Sequence, residues 1–233
     1  MKKAFASSLA VLLFLTCLSF AQAHAPAPTQ TMAKSAEPAD KIWGGLMAGN
    51  QRFIAGQAQH TDVPALRAKL ATGQQPKVIV LGCSDSRVAP EEVFDQNLGD
   101  LFVVRSAGNV ADAIGLGSMK YAYEHLGSTV LVVMGHTKCG AVMAACSGDK
   151  MPTSNLQAIV DKIEPAVLTA KGQGNAGDKL LSEAINDNAL RSAHELTVHS
   201  EILRHAVDEG KLTIIPVLYH LDSGEVTRLD GKK

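Results

Sequence analysis

The chain has 233 residues, with 22 Lys and Arg against 23 Asp and Glu, and a formal charge of −1. That balance advertises no basic face, so nucleic acid and anionic membrane surfaces are excluded as expected partners. The length suits one domain with core enough to fold without disulfides.

Residues 1–23 have the plan of a secretory signal peptide. Lys2 and Lys3 form the charged start, residues 9–20 the apolar stretch, and Ala21-Gln22-Ala23 a small-residue cleavage site. The apolar run is shorter than the ~20 residues a membrane span needs, and polar chain follows at once. A lipoprotein reading would use Cys17, but Thr16 before it is larger than the residue usual there. The expectation is export to the periplasm or the medium, with His24 as the new N-terminus and no membrane attachment after cleavage. Losing Lys2 and Lys3 takes the formal charge from −1 to −3.

Residues 24–38, rich in Ala, Pro, Thr and Ser, read as a flexible lead-in to one folded domain over residues 39–233. The spacing of Ile42, Leu46, Phe53 and Ile54 predicts an amphipathic helix that carries Trp43. Gln74-Gln75-Pro76 then leads into the apolar run Val78-Ile79-Val80-Leu81-Gly82, which is followed by Cys83-Ser84-Asp85-Ser86-Arg87. Residues 88–99 read as a short helix and turn, 101–104 as a strand, and 119–126 as a helix. A second apolar run, Val130-Leu131-Val132-Val133-Met134-Gly135, is followed by His136-Thr137-Lys138-Cys139-Gly140. Residues 155–171 form a further candidate helix that Pro165 is expected to interrupt. Residues 179–209 supply one or two more, closed by Gly210 in the C-cap role, and 212–218 a last strand. This alternation predicts an α/β fold with a mostly parallel central sheet flanked by helices.

The two apolar runs suit strands buried on both faces of a parallel sheet, and the residues after them emerge at its carboxyl edge, where open α/β sheets bind ligands. If the strands are neighbours, Cys83, His136 and Cys139 converge. Thiolate and imidazole favour zinc, and three protein ligands leave a fourth position open, the mark of a catalytic site. Taken singly, each of the three has a plainer reading as a buried core cysteine or a loop histidine. A Cys83–Cys139 disulfide is the redox alternative, but it leaves Asp85, Arg87 and His136 without a shared purpose. Cys146 is the odd cysteine of the exported chain. His125, His194, His199, His205 and His220 sit in no comparable constellation.

These motifs resemble those of the β-class carbonic anhydrases: Cys-Ser-Asp-Ser-Arg after one buried strand and His-x-x-Cys-Gly after another. The likeness extends to Gly49-Asn50-Gln51-Arg52-Phe53, to Gly99-Asp100-Leu101-Phe102-Val103-Val104-Arg105 with Ala107-Gly108-Asn109, and to Leu221-Asp222-Ser223-Gly224-Glu225-Val226, covering residues 39–229. The resemblance implies reversible hydration of CO2 to bicarbonate and a proton, by attack of zinc-bound hydroxide, with Cys83, His136 and Cys139 holding Zn2+. It implies that Asp85, salt-bridged to Arg87, stays off the metal and accepts a hydrogen bond from its water or hydroxide. It places Gln74, Phe102, Tyr121 and Gly140 in the substrate pocket, Gln74 in that of a partner subunit. It also implies a homodimer or homotetramer in which N-terminal helices pack on the partner. The same family includes hydrolases of carbon disulfide and carbonyl sulfide, and a non-catalytic zinc-binding or thiol-sensing protein is the competing class. One departure matters: Val80 stands where the bicarbonate-regulated subgroup has Trp, so the open-site subgroup is expected.

Overall fold

Two stretches in which every side chain is buried set the frame: β1 (Val78–Cys83) and β3 (Val130–His136). Both lie inside a five-stranded sheet, where only continuous apolar sequence avoids a desolvation cost. The computed structural model describes residues 33–35, 37–59 and 63–229. The signal peptide, its cleavage site and residues 24–32 lie outside them.

The strand order is β2-β1-β3-β4-β5, with β2 at Leu101–Ser106, β4 at Thr213–Tyr219 and β5 at Val226–Arg228. The first four strands run parallel, and β5 closes one edge antiparallel to β4. Val78 pairs with both Leu101 and Val130, so the expected neighbours β1 and β3 do lie side by side.

Alternation along β1 and β3 feeds two cores. Val78, Val80, Val130 and Val132 face Ile42, Trp43 and Leu46 of α1 (Ala39–Ile54), with Val142 of α5 (Gly140–Ser147) and Ile163 of α6 (Ser154–Gly172). Ile79, Leu81, Leu131 and Val133 face Met119 and Ala122 of α4 (Ala113–His125) and Leu203 and Ala206 of α8 (Glu201–Asp208). The long α7 (Gly177–Val198) serves both, giving Ala184 and Ile185 to the first and Ala193 and Leu196 to the second.

Several elements differ from the sequence expectation. Helix α4 starts at Ala113 because the Asp112 carboxylate caps it, accepting from the Gly115 amide at 2.7 Å. Helix α6 runs through Pro165 without a break. Residues 179–209 supply two helices as expected, α7 and α8, with the Ser200 hydroxyl capping the second. Gly210 (φ +68°) ends α8: its amide bonds Val207 O and that of Lys211 bonds Ala206 O, the paired 5→2 and 6→1 closure that left-handed glycine permits. One strand and two helices were not expected, β5, α5 and α2 (Val63–Leu70); α2 buries none of its residues. A four-residue helix, α3 (Pro90–Val93), follows the first motif.

Of the lead-in, residues 33–35, 37 and 38 are described. The Ser35 amide reaches Gly127 O at 3.3 Å, and Gln75 Nε2 donates to Ala33 O at 3.2 Å. Asn50 fastens α1 to the far end of the domain. Its Nδ2 donates to Val93 O (3.0 Å) and Gly224 O (2.8 Å), and its Oδ1 accepts from the Val226 amide (3.1 Å). Gly49 lets α1 approach so closely that a Cβ there would lie 1.8 Å from Phe94 O.

Candidate metal centre

Because β1 and β3 are adjacent and parallel, their carboxyl ends deliver both motifs to the same place. Cys83 closes β1, His136 closes β3, and Cys139 is the N-cap of α5. Lys138 takes a left-handed backbone (φ +56°), and that sharp turn lets His136 and Cys139 serve one point. The three ligand atoms lie within 4.8 Å of one another, all on buried residues; among the described residues no other His, Cys, Asp or Glu group gathers this way.

Second contacts fix how each ligand points. His136 Nδ1 lies 3.0 Å from Thr137 O, an acceptor that requires the proton on Nδ1 and leaves a lone pair on Nε2. Nε2 is buried with no hydrogen-bond partner. Thr137 is itself held from β4, its amide donating to Tyr219 O and its hydroxyl accepting from the Leu221 amide, each at 3.0 Å. The Gly108 amide donates to Cys83 Sγ at 3.3 Å.

The two thiols are coupled. The hydrogen bond between Cys139 and Cys83 pulls the Cys83 thiol down against burial, with help from His136 and the Asp85 and Gly108 amides. The same contact with Cys83, and burial, push Cys139 up, while the Val142 and Ala141 amides at the start of α5 oppose the rise. A buried pair of thiols sharing a proton, beside an imidazole with an unspent lone pair, suits a divalent cation that displaces the proton. Two sulfurs and one nitrogen suit zinc in particular.

Asp85 stands outside the trio, with Oδ2 3.9 Å from His136 Nε2. Arg87 grips it in a fork, Nε to Oδ1 at 2.9 Å and a terminal nitrogen to Oδ2 at 2.6 Å, and the Arg87 amide adds 3.0 Å to Oδ1. This fork holds the Asp85 carboxyl well below the usual carboxylate range. Arg105 on β2 fixes the loop beneath, donating to Cys83 O (2.8 Å) and Asp85 O (2.6 Å).

Of the proposed pocket residues, Gln74, Phe102 and Tyr121 do not join the trio within one chain. Gln74 is exposed before the amino end of β1, and ~17 Å of strand separates Val78 from Cys83. Phe102 and Tyr121 pack together, ring centroids 6.5 Å apart, on the sheet face of Ile79 and Leu81. Tyr121 remains 49% exposed. Gly140 is at the site as the first residue of α5, but a Cβ there would meet nothing within 4 Å, so packing does not demand glycine. Val80 is fully buried in the first core.

Thr137, and Asn188 on α7, whose Nδ2 donates to Gly108 O at 2.8 Å, were not legible as site residues. Neither has a ligand's chemistry, and the Asn188 contact spans 80 positions of sequence.

Comparison with known proteins gives the same assignment as the motifs and the sheet. A family profile described as carbonic anhydrase matches residues 78–226, more than half of the chain. Carbonic anhydrase 2 of Mycobacterium tuberculosis is 39% identical over 196 residues, covering 81% of this chain and 91% of the relative. The carbonic anhydrase of Mycolicibacterium smegmatis is 38% identical over 189 residues, covering 79% and 90%. Among solved structures, the β-carbonic anhydrase CafA of Aspergillus fumigatus superposes with a TM-score of 0.66 at 27% identity, covering 82% of this chain and 92% of the other. The β-carbonic anhydrase CcaA gives 0.64 at 26%, covering 81% and 87%. With a parallel sheet that gathers two thiols and an imidazole at its carboxyl edge, and relatives matched over most of their length, the chain belongs to the β-class carbonic anhydrases.

Proposed function

We propose that Cys83 Sγ, His136 Nε2 and Cys139 Sγ bind zinc, and that the chain hydrates carbon dioxide reversibly to bicarbonate and a proton at that site. The observation that carries this reading is the buried, unpartnered Nε2 of His136, with its tautomer fixed by Thr137 O and two buried thiols within 4.8 Å. Zinc bound there supplies Lewis acidity, which makes water nucleophilic at neutral pH.

The chain's own residues do the rest. Arg87 engages both oxygens of Asp85, which would keep the carboxylate from ligating a metal held by the trio while each oxygen retains a lone pair to accept a further hydrogen bond. Oδ2 of Asp85 remains the acceptor nearest the centre, and it orients the O–H of the reacting water so that an oxygen lone pair faces the carbon of CO2. The product proton leaves to solvent or buffer.

Gln74, Phe102 and Tyr121 are then residues that complete the site of a second subunit. Two observations support this: they lie away from their own trio, and β2, which carries Phe102, is an edge strand with half-buried side chains. The apolar face of α1 packs into its own core, so α2, none of whose residues is fully buried, is the N-terminal helix with surface to offer a partner. Export to the periplasm is proposed from the leader sequence alone.

The test is metal analysis with a CO2 hydration assay on the exported form. One zinc per subunit and activity are expected, and Cys139→Ser removes both. Full zinc content in that variant would sink the ligand assignment, and a zinc-loaded wild-type protein without hydration activity would sink the reaction.

A further inference from the structure

We infer that Asn188 is a positioning residue for the metal centre, acting through the backbone of Gly108 on the sulfur of Cys83. The inference rests on the ligand assignment proposed above. Asn188 is 2% exposed, and its Nδ2 donates to Gly108 O at 2.8 Å. The amide of the same glycine donates to Cys83 Sγ at 3.3 Å. One residue thus carries two bonds, one to α7 and one to a thiol ligand.

The backbone between them needs holding. Gly108 (φ +72°) and Asn109 (φ +47°) are consecutive left-handed residues, and the second pays the steric cost of a side chain in that region. Gly108 is also wedged between helices: a Cβ there would lie 2.6 Å from Ile163 Cδ1 on α6 and 3.2 Å from Ala141 Cβ on α5. These contacts limit where Gly108 sits. Its carbonyl is taken by Asn188, and that bond fixes the rotation of the turn about this seat.

Asn188 can reach because α7 lies unusually close to β3. At Gly135 a Cβ would come 3.1 Å from Ala189 Cβ, so the glycine just before His136 admits the helix that carries Asn188. The same helix face presents Ile185 and Ala189 to the core, and their burial locks its rotation.

The chemical consequence concerns electron density on sulfur. Two thiolates neutralise the formal charge of a divalent ion and weaken it as a Lewis acid. A hydrogen bond to one of them withdraws density from that sulfur and restores part of the ion's acidity. Asn188 therefore acts on the centre without touching ligand or substrate.

The test uses cobalt(II) in place of zinc, because thiolate-to-cobalt charge transfer reports the electron density on sulfur. In Asn188→Leu the side chain keeps its size and branching but has no donor for Gly108 O; in Asn188→Ser the reach is lost. Both are expected to move the charge-transfer band to longer wavelength and to weaken metal retention against EDTA by about 10–100-fold. Asn50→Ala, which removes another buried amide with no bond to the thiol loop, is expected to lower stability with the band unmoved. An unmoved band in a folded Asn188 variant, beside a normal band in the unaltered protein, overturns the inference alone. Absence of any thiolate band in the unaltered protein overturns the ligand assignment with it. Should neither variant fold, the unaltered protein loaded with cadmium-113 decides: scalar coupling between the Gly108 amide proton and the metal is expected, and its absence overturns the inference.

Discussion

Arg87 decides what Asp85 is available for. A carboxylate beside a metal centre either closes it or assists it, and here both oxygens are engaged by one guanidinium. Removing that partner frees the carboxylate, so Arg87→Ala is expected to lose most CO2 hydration activity with zinc content unchanged. Asp85→Asn is expected to do the same, since an amide cannot serve as the same acceptor. Near wild-type turnover in both variants would defeat the role given to the pair. The pair also has a pH signature. Arg87 lowers the folded-state value of Asp85, so its stabilisation is complete above the ordinary carboxylate value of about 4 and is lost as pH falls through the lowered one. Denaturation of wild type and Arg87→Ala should therefore differ at neutral pH and converge in strong acid. Because the Arg87 side chain is 55% exposed, the difference should also shrink with added salt.

At the scale of elements, the buried strands were the most legible part of the chain and the polar ties the least. The runs at 78–82 and 130–135 are apolar without alternation, and such a pattern fits a strand covered on both faces. That also placed Cys83, His136 and Cys139, since each follows such a run. Strand β5 escaped because three residues, Val-Thr-Arg, carry too little pattern to mark a strand; it exists because β4 offers an open edge. Pro165 read as a break, yet the packing of Val160, Ile163, Ala166 and Val167 carries α6 across it. Asn188 was hidden by company, standing beside Asn186 and Asp187 in α7 with a partner far away in sequence. Asn50 carries a prediction of its own. Three backbone groups of α3, the loop at Gly224 and β5 depend on its amide, and truncation would leave them buried and unpaired. Asn50→Ala should cost about 3 kcal/mol in chemical denaturation. A loss within ~0.5 kcal/mol, the range of an ordinary surface change, would show that water replaces the bonds.

For the whole molecule, the placement of Gln74, Phe102 and Tyr121 argues for a site shared between subunits. All three lie at or near the β2 edge or the amino end of the sheet, while the thiols and His136 lie at the carboxyl end of β1 and β3. No side-chain rotation in one chain closes a gap of strand length, so these residues serve a metal site only by entering one from another copy. A two-fold dimer satisfies that requirement twice with one interface, because the same surface supplies and receives. Dissociation should then remove activity without removing zinc, since the ligands all come from one chain. Activity measured over a dilution series, alongside sedimentation, is expected to fall with the dimer population while the zinc content of the monomer persists. Gln74→Ala mixed with Cys139→Ser gives a sharper form of the test, provided subunits exchange. In the mixed dimer the first chain keeps its metal and receives an intact Gln74 from the second. If Gln74 serves the partner, the mixture should exceed the summed activity of the separate variants. If each chain uses its own Gln74, mixing should add nothing, and a fully active monomer at high dilution would remove the shared site altogether.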